Sequence, residues 1–80
     1  MYKILIVEDD ETIAGGLKNH LGKWNYQAEC MTDFKDVMGK FVDFDPQLVL
    51  LDIVLPFFNG FHWCQEIRKI SKVPIIFLSS

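Results

Sequence analysis

Four side chains from three separate stretches of this sequence have the types needed to handle a phosphoryl group. Glu8 and Asp9 follow the run "ILIV", Asp52 follows "LVLL", and Ser79 follows "IIFL". Each run is apolar without a break, so it has no polar face and reads as a strand buried on both sides of a parallel sheet. A charge at the end of such a strand is costly unless it meets water, a cation or a hydrogen-bond partner. In an open parallel sheet the C-terminal strand ends share one edge, where diverging loops leave a crevice. Carboxylates and a hydroxyl from distant parts of the chain are therefore expected in one place.

That crowding has a chemical consequence. Two carboxylates about 4 Å apart, at an effective dielectric near 20, repel by roughly 4 kcal/mol. Glu8, Asp9 and Asp52 can share a crevice only with a proton or a cation among them. One or two carboxylates completed by waters and a phosphate oxygen describe a Mg2+ site better than a closed Ca2+ cage. An aspartate beside Mg2+, faced by a serine hydroxyl, suits phosphoryl transfer with the carboxylate oxygen as nucleophile. Taken singly, each residue has a plainer reading. Glu8-Asp9-Asp10 could only cap and favour the helix that follows, Asp52 could be a loop acid, and Ser79 alone is uninformative. The convergence of three strand ends points to a site.

The elements that must position these groups alternate along the chain. Ile4–Val7 is the first strand. Ile13, Leu17, Leu21 and Trp24 then recur at helical spacing, with Asp10, Glu11 or Thr12 available as N-cap. Gly15-Gly16 weakens that helix by about 1–2 kcal/mol relative to alanines, and close packing against a neighbour would explain the pair. "YQAECM" (Tyr26–Met31) alternates as a half-exposed edge strand does. Phe34, Val37, Met38, Phe41 and Val42 form a second helical stripe, with Asp33 as its expected cap. Leu48–Leu51 is the third strand. Phe61, Cys64, Ile67 and Ile70 mark a third helix, opened by "NG" and ending near Ser71, and Ile75–Leu78 is the fourth strand. The order β-α-β-α-β-α-β predicts an α/β fold with a parallel sheet and right-handed crossovers.

Composition narrows the functional classes. Eighty residues, half of them apolar and 24% charged, with net charge −3, suit one small soluble domain with a thin stability margin. No stretch approaches the roughly 18 apolar residues of a membrane span, and acids follow "ILIV" where a signal peptide needs a small-residue cleavage site. A cytoplasmic protein that does not engage a membrane is expected. Cys30 and Cys64 lack metal-ligand spacing and read as reduced thiols. The mildly acidic balance gives no support for direct nucleic-acid binding by this segment. His20 and His62 have no partner at ligand spacing and read as exposed or partly packed. Lys35, Lys40, Arg68, Lys69 and Lys72 read as solvated helix faces and ends. Phe61 reads as core, whereas Phe57 and Phe58 are hard to bury in a loop and could serve kinase docking or dimerisation.

The segments "KILIVEDDE", "LVLLDIVLPFFNG" and "VPIIFLSS" closely resemble the receiver domain of two-component response regulators. The resemblance spans essentially all 80 residues, with the acidic pair, an Asp followed by Pro four and Gly eight residues on, and a hydroxyl after the fourth strand all in order. It implies a three-layer, flavodoxin-like sheet of order 2-1-3-4. It also implies that Asp52 accepts a phosphoryl group from a phosphohistidine on a sensor histidine kinase. Asp9 would be the direct Mg2+ ligand, Glu8 would act through water or nearby, and the backbone carbonyl of Val54 would add a metal oxygen. Ser79 matches the switch hydroxyl, and Ser80 sits where the family prefers a small residue. Pro56 and Gly60 would shape the loop into the third helix, Pro by its fixed φ and Gly by tolerating unusual dihedrals. The strand ends look most like the transcription-factor branch, in which a winged-helix output domain binds DNA.

The family has five βα units, and this sequence stops after the fourth strand. The resemblance therefore implies the N-terminal portion of a receiver, residues 1–80, with the fifth strand missing and the output domain absent. The fifth strand would bring the lysine that pairs with the phosphoryl group, and Lys3, Lys69 and Lys72 are not placed to replace it, so phosphorylation of Asp52 is expected to be slow. Ile75–Leu78 would form an exposed apolar edge, and such edges recruit other strands, so self-association is expected, through edge-to-edge pairing of the fourth strand or an exchanged element. Two other functions compete. Haloacid-dehalogenase-type phosphatases begin with a strand and Asp-x-Asp-x-Thr, which Glu8–Thr12 resembles except at the nucleophile, and that reading leaves Asp52 unused. A non-phosphorylated receiver-like dimerisation module is the other. A phosphodonor label on Asp52 separates the first from a receiver, and a Mg2+ titration of tryptophan fluorescence separates the second.

Overall fold

The computed structural model describes residues 1–79. Its elements are β1 (Lys3–Val7), α1 (Glu11–Lys23), β2 (Gln27–Cys30), α2 (Val37–Phe44), β3 (Leu48–Asp52), α3 (Gly60–Arg68) and β4 (Ile75–Leu78). The four strands form one parallel sheet in the order β2-β1-β3-β4. Fold class, strand order and the edge position of β2 agree with the sequence reading. Ser80 lies outside the described residues, and with it the small-residue expectation at that position.

Alternation along the central strands explains their unbroken apolar runs. Leu5, Val7, Val49 and Leu51 face one side, where they pack with Met31, Val37, Phe41, Phe44, Trp63 and Ile67 beneath α2 and α3. Ile4, Ile6 and Leu50 face the other side and pack with Ala14 and Ala28 under α1. Over β1 and β3 both faces are covered, so neither can be polar there. Each such aliphatic side chain contributes about 1.5–3 kcal/mol on full burial. The first cluster is the larger, and it anchors the two helices that follow β2 and β3.

The second face is only partly covered. Leu17 and Leu21 pack against the smaller cluster, but Ile13 and Trp24 are exposed, so half of the expected α1 stripe does not serve the core. Trp24 is the C-cap rather than a helical residue. Beyond the chain neighbours and the adjacent backbone of α1 itself, no atom lies within 4 Å of where a Cβ on Gly15 or Gly16 would sit, so close packing against a neighbouring element does not explain that pair. β4 also departs from the buried pattern of β1 and β3, with Ile76 52% exposed and Phe77 38%. It pairs on one side only, with β3, which leaves the apolar edge that the sequence led us to expect.

Helix starts are set by side-chain caps. Asp10 accepts hydrogen bonds from the N–H groups of Thr12 and Ile13 at 2.9 and 3.2 Å and opens α1. α2 begins later than its apolar stripe suggested. Asp36, not Asp33, is its N-cap and accepts from the Gly39 N–H at 3.0 Å. Asp33 instead closes a turn by accepting from the Lys35 N–H. With that start, Val37, Phe41 and Phe44 at i, i+4 and i+7 face the core, and Val42 points to solvent. Asn59 opens α3 by accepting from the His62 N–H at 3.0 Å. Gly60, Trp63 and Ile67 are the buried residues of that helix. Phe61 is exposed and lies beside Phe77 rather than in the core, with ring centroids 5.2 Å apart.

Candidate functional site

Register brings the acids together. In the β1–β3 pairing Val7 aligns with Leu51, so Glu8 and Asp52 are next in line on neighbouring strands. One carboxylate oxygen from each of Glu8, Asp9 and Asp52 lies within 4.8 Å of the other two. Glu8 and Asp52 are only 8% and 6% exposed, whereas Asp9 reaches solvent. These three predicted residues are thus gathered by the strand ends, as the sequence reading required. Asp10 is not a member of the cluster. Its carboxylate is committed to capping α1, which divides the acidic run between a structural and a chemical role.

The electrostatics follow from that geometry. Burial pushes the Glu8 carboxyl above the usual carboxylate range. The Asp10 N–H, donating to Glu8 Oε2 at 3.1 Å, works against this, while the nearby Asp52 charge and hydrogen bonding with Asp9 and Asp52 raise it further. Among the described residues no lysine or arginine pairs with these acids. The ion pairs among the described residues are Lys40–Glu29 and Lys69–Glu66, neither of which includes a cluster member. Three carboxylates with no nitrogen or sulfur ligand make a donor set for a hard divalent cation. Octahedral Mg2+ at about 2.0–2.1 Å sets opposed oxygens about 4.2 Å and adjacent ones about 2.9 Å apart, so oxygens already within 4.8 Å of one another would close by up to about 2 Å around the ion. Glu8, Asp9 and Asp52 fit such an ion.

Ser79 follows the β4 residue that aligns with Asp52, since Asp52 pairs with Leu78. It lines a cleft of about 320 Å³ together with Glu8, Asp52, Ile13, Leu17 and Leu78. The hydroxyl-bearing residue and the two buried acids therefore share one opening. Val54 lies two residues beyond Asp52 in an exposed loop. The Gly60 N–H closes that loop by donating to the Ile53 carbonyl at 2.8 Å.

Gly60 is needed for a reason that sequence reasoning missed. None of the glycines has positive φ, so unusual dihedrals do not explain it. A Cβ on Gly60 would sit 2.2 Å from the Asp52 carbonyl oxygen, so only glycine lets α3 start against the backbone that carries Asp52. An "NG" pair marks a helix start, but it carries no signal for this approach. The conformation of Phe57, with φ of +68°, was likewise not legible. Phe57 and Phe58 are both exposed, as their loop position suggested.

Comparison with known proteins places this geometry in a family. The profile described as "Response regulator receiver domain" matches residues 4–80. The chain is 52% identical over 80 residues to the Bacillus subtilis (strain 168) "Uncharacterized transcriptional regulatory protein YvcP", covering all of this chain and 34% of that protein. It thus spans about a third of the length of that curated relative. Among solved structures it superposes on the N-terminal domain of the nisin resistance regulator NsrR, a lantibiotic response regulator. That match has a TM-score of 0.93 and 49% identity, and covers 100% of this chain and 68% of that one. The response regulator TrrA, solved in complex with the histidine kinase ThkA, gives a TM-score of 0.88 at 33% identity, covering 100% of this chain and 70% of that one. Strand order, the acidic strand ends and the match along nearly the whole sequence agree, and the chain belongs to the response-regulator receiver domain family.

Proposed function

We propose that this chain is the phosphoacceptor of a two-component response regulator, with Asp52 taking a phosphoryl group from a phosphohistidine of a sensor histidine kinase. The carrying observation is the cluster itself, three carboxylate oxygens within 4.8 Å of one another with two of their residues buried and no basic partner. Glu8, Asp9, the Asp52 side chain and the Val54 carbonyl would hold Mg2+, with Glu8 acting directly or through water. When bound, the ion neutralises these acids and the equatorial oxygens of the incoming phosphoryl group. An Asp52 oxygen attacks phosphorus in line, the P–N bond to the donor imidazole breaks, and its electron pair returns to the ring nitrogen. Burial of Asp52 limits competing water. Ser79, lining the same cleft, would turn its hydroxyl to a phosphoryl oxygen. The chain on this reading is a signalling module and not a turnover enzyme, and it works in the cytoplasm.

The same reading covers organisation and partners. Residues 1–80 would be the N-terminal portion of a receiver, and DNA would be engaged only through an output domain outside these residues. The relatives' transcriptional role and the kinase bound to TrrA support this. For the 80-residue chain itself, self-association through β4 is the companion proposal. Antiparallel pairing of two β4 edges would set Arg68, Lys69 and Lys72 at one end of each edge near the acidic end of the other. A stable monomer in dilute sedimentation would refute that part alone.

The test of the phosphoacceptor reading is incubation with a small phosphodonor and Mg2+, followed by intact mass and peptide mapping. One phosphoryl group on Asp52, abolished by Asp52→Asn and by chelation of the metal, is expected. Label on another residue, or phosphomonoester turnover without a stable adduct, would overturn it.

A further inference from the structure

Among the described residues, three that are not glycine have positive φ: Asn25 at 66°, Asp45 at 52° and Phe57 at 68°. Asn and Asp tolerate this region because their short side chains bond locally, but a bulky aromatic has no such relief. The Phe58 N–H donates to the Pro56 carbonyl at 2.9 Å, so Phe57 is the centre of a γ-turn of the strained hand. Glycine would hold this conformation without steric cost. Such strain persists where the surroundings over-determine it, and it clusters beside functional sites.

The surroundings here are specific. The Lys35 ammonium lies 4.9 Å from the centroid of the Phe57 ring. Lys35 is itself held by the turn in which Asp33 Oδ1 accepts its N–H at 3.0 Å. The segment between β2 and α2 thus reaches across to the loop between β3 and α3. On the far side, Phe58 stacks on His62 with centroids 4.3 Å apart and meets the edge of buried Trp63 at 5.5 Å. Phe57 remains 65% exposed, so burial does not account for an aromatic at this position. Contact with Lys35 does.

We propose that Phe57 and Lys35 form a clasp that positions the Asp52–Val54 limb of the metal site. Both are positioning residues and neither is a ligand. This rests on the Mg2+-dependent reading above. The loop's ends are pinned where the Gly60 N–H meets the Ile53 carbonyl, and Leu55 and Phe58 pack inward, so at the exposed Phe57 turn the remaining side-chain hold is Lys35. Releasing that hold leaves the Val54 carbonyl to be ordered during cation binding, and the ordering cost appears as weaker affinity.

The test follows Trp63 fluorescence in a Trp24→Phe background during Mg2+ titration, together with amide exchange of Gly60 in metal-free protein. Lys35→Met and Phe57→Gly are expected to weaken Mg2+ binding about two- to five-fold, as loss of an exposed cation–π contact implies, and to speed Gly60 exchange. Lys35→Arg should restore both. Phe57→Gly should keep or raise the melting temperature while binding weakens, a split that a purely structural role would not give. If Phe57→Gly fails to fold, exposed Lys35 carries the test by itself. Wild-type affinity and exchange in the variants would remove the clasp and leave the metal reading standing. A wild-type protein without a saturable Mg2+ response would remove both.

Discussion

Asparagine at position 52 removes one of two buried negative charges while keeping the side chain's shape, and the cost of holding those charges together can be worked out. With Glu8 and Asp52 oxygens within 4.8 Å, Coulomb's law at an effective dielectric of 20 gives about 3.5 kcal/mol of repulsion. Protonation sets a ceiling. Neutralising a glutamate of ordinary pKa at pH 7 costs roughly 3.7 kcal/mol, so repulsion much beyond that would be relieved by uptake of a proton. Asp9 is exposed, and solvent screens its share to under about 1 kcal/mol. The crevice is open at its mouth, so the realised gain on removing Asp52 should be about 1–3 kcal/mol. In a domain of this size each kcal/mol moves the melting temperature by about 4–8 °C. Metal-free Asp52→Asn should therefore melt roughly 4–24 °C above metal-free wild type at pH 7 and low salt. Added Mg2+ should reverse the order of gains, because an ion at a hundred times its Kd stabilises wild type by about 2.7 kcal/mol and finds fewer charges in the variant. Thermal unfolding of chelator-treated protein, with and without Mg2+, measures both. A metal-free variant no more stable than wild type, or equal stabilisation of the two by Mg2+, would refute the crowding argument.

Other expected outcomes concern the supports of the site. The folded state holds the Glu8 proton more tightly than the unfolded chain does, so this group's contribution is complete below the ordinary value and is lost as pH rises through the raised one. The stability advantage of metal-free Glu8→Gln over wild type should accordingly grow from acid toward neutral pH, and a pH-independent gap in urea titrations would contradict it. Gly60→Ala forces a Cβ against the Asp52 carbonyl oxygen. It should cost about 2–4 kcal/mol by urea unfolding, whereas a neutral result would mean that the loop shifts freely. Asp36→Ala should cost about 1 kcal/mol through loss of the α2 cap, and Asp33→Ala measurably less. The reverse ranking would restore Asp33 as the cap.

How much of this was legible in the sequence differs from element to element. Unbroken runs at Ile4–Val7 and Leu48–Leu51 identified central strands because a strand covered on both faces has no place for a polar residue. The same pattern at Ile75–Leu78 marked a strand, but its edge position came from the strand order that the family resemblance implied, since period and composition cannot tell an edge from a centre. Within helices, spacing located α1 and α2 but not which members of each stripe are buried. Ile13 and Val42 fit the period and face solvent, because burial depends on what lies opposite. Asp33 and Asp36 are both plausible caps by type, and backbone geometry chose between them.

By itself the sequence determined that acidic strand ends would converge, because parallel strands place their C-terminal ends on one edge whatever the packing detail. The tertiary structure alone decided that Glu8 and Asp52 are buried while Asp9 is not, that Asp10 is spent on a helix cap, and that Gly60 and Phe57 shape the loop beyond Asp52. Those outcomes hang on distances of a few ångströms between segments far apart in the chain. Residue order sets local preference and strand direction, but such separations exist only once the sheet and its helices have packed.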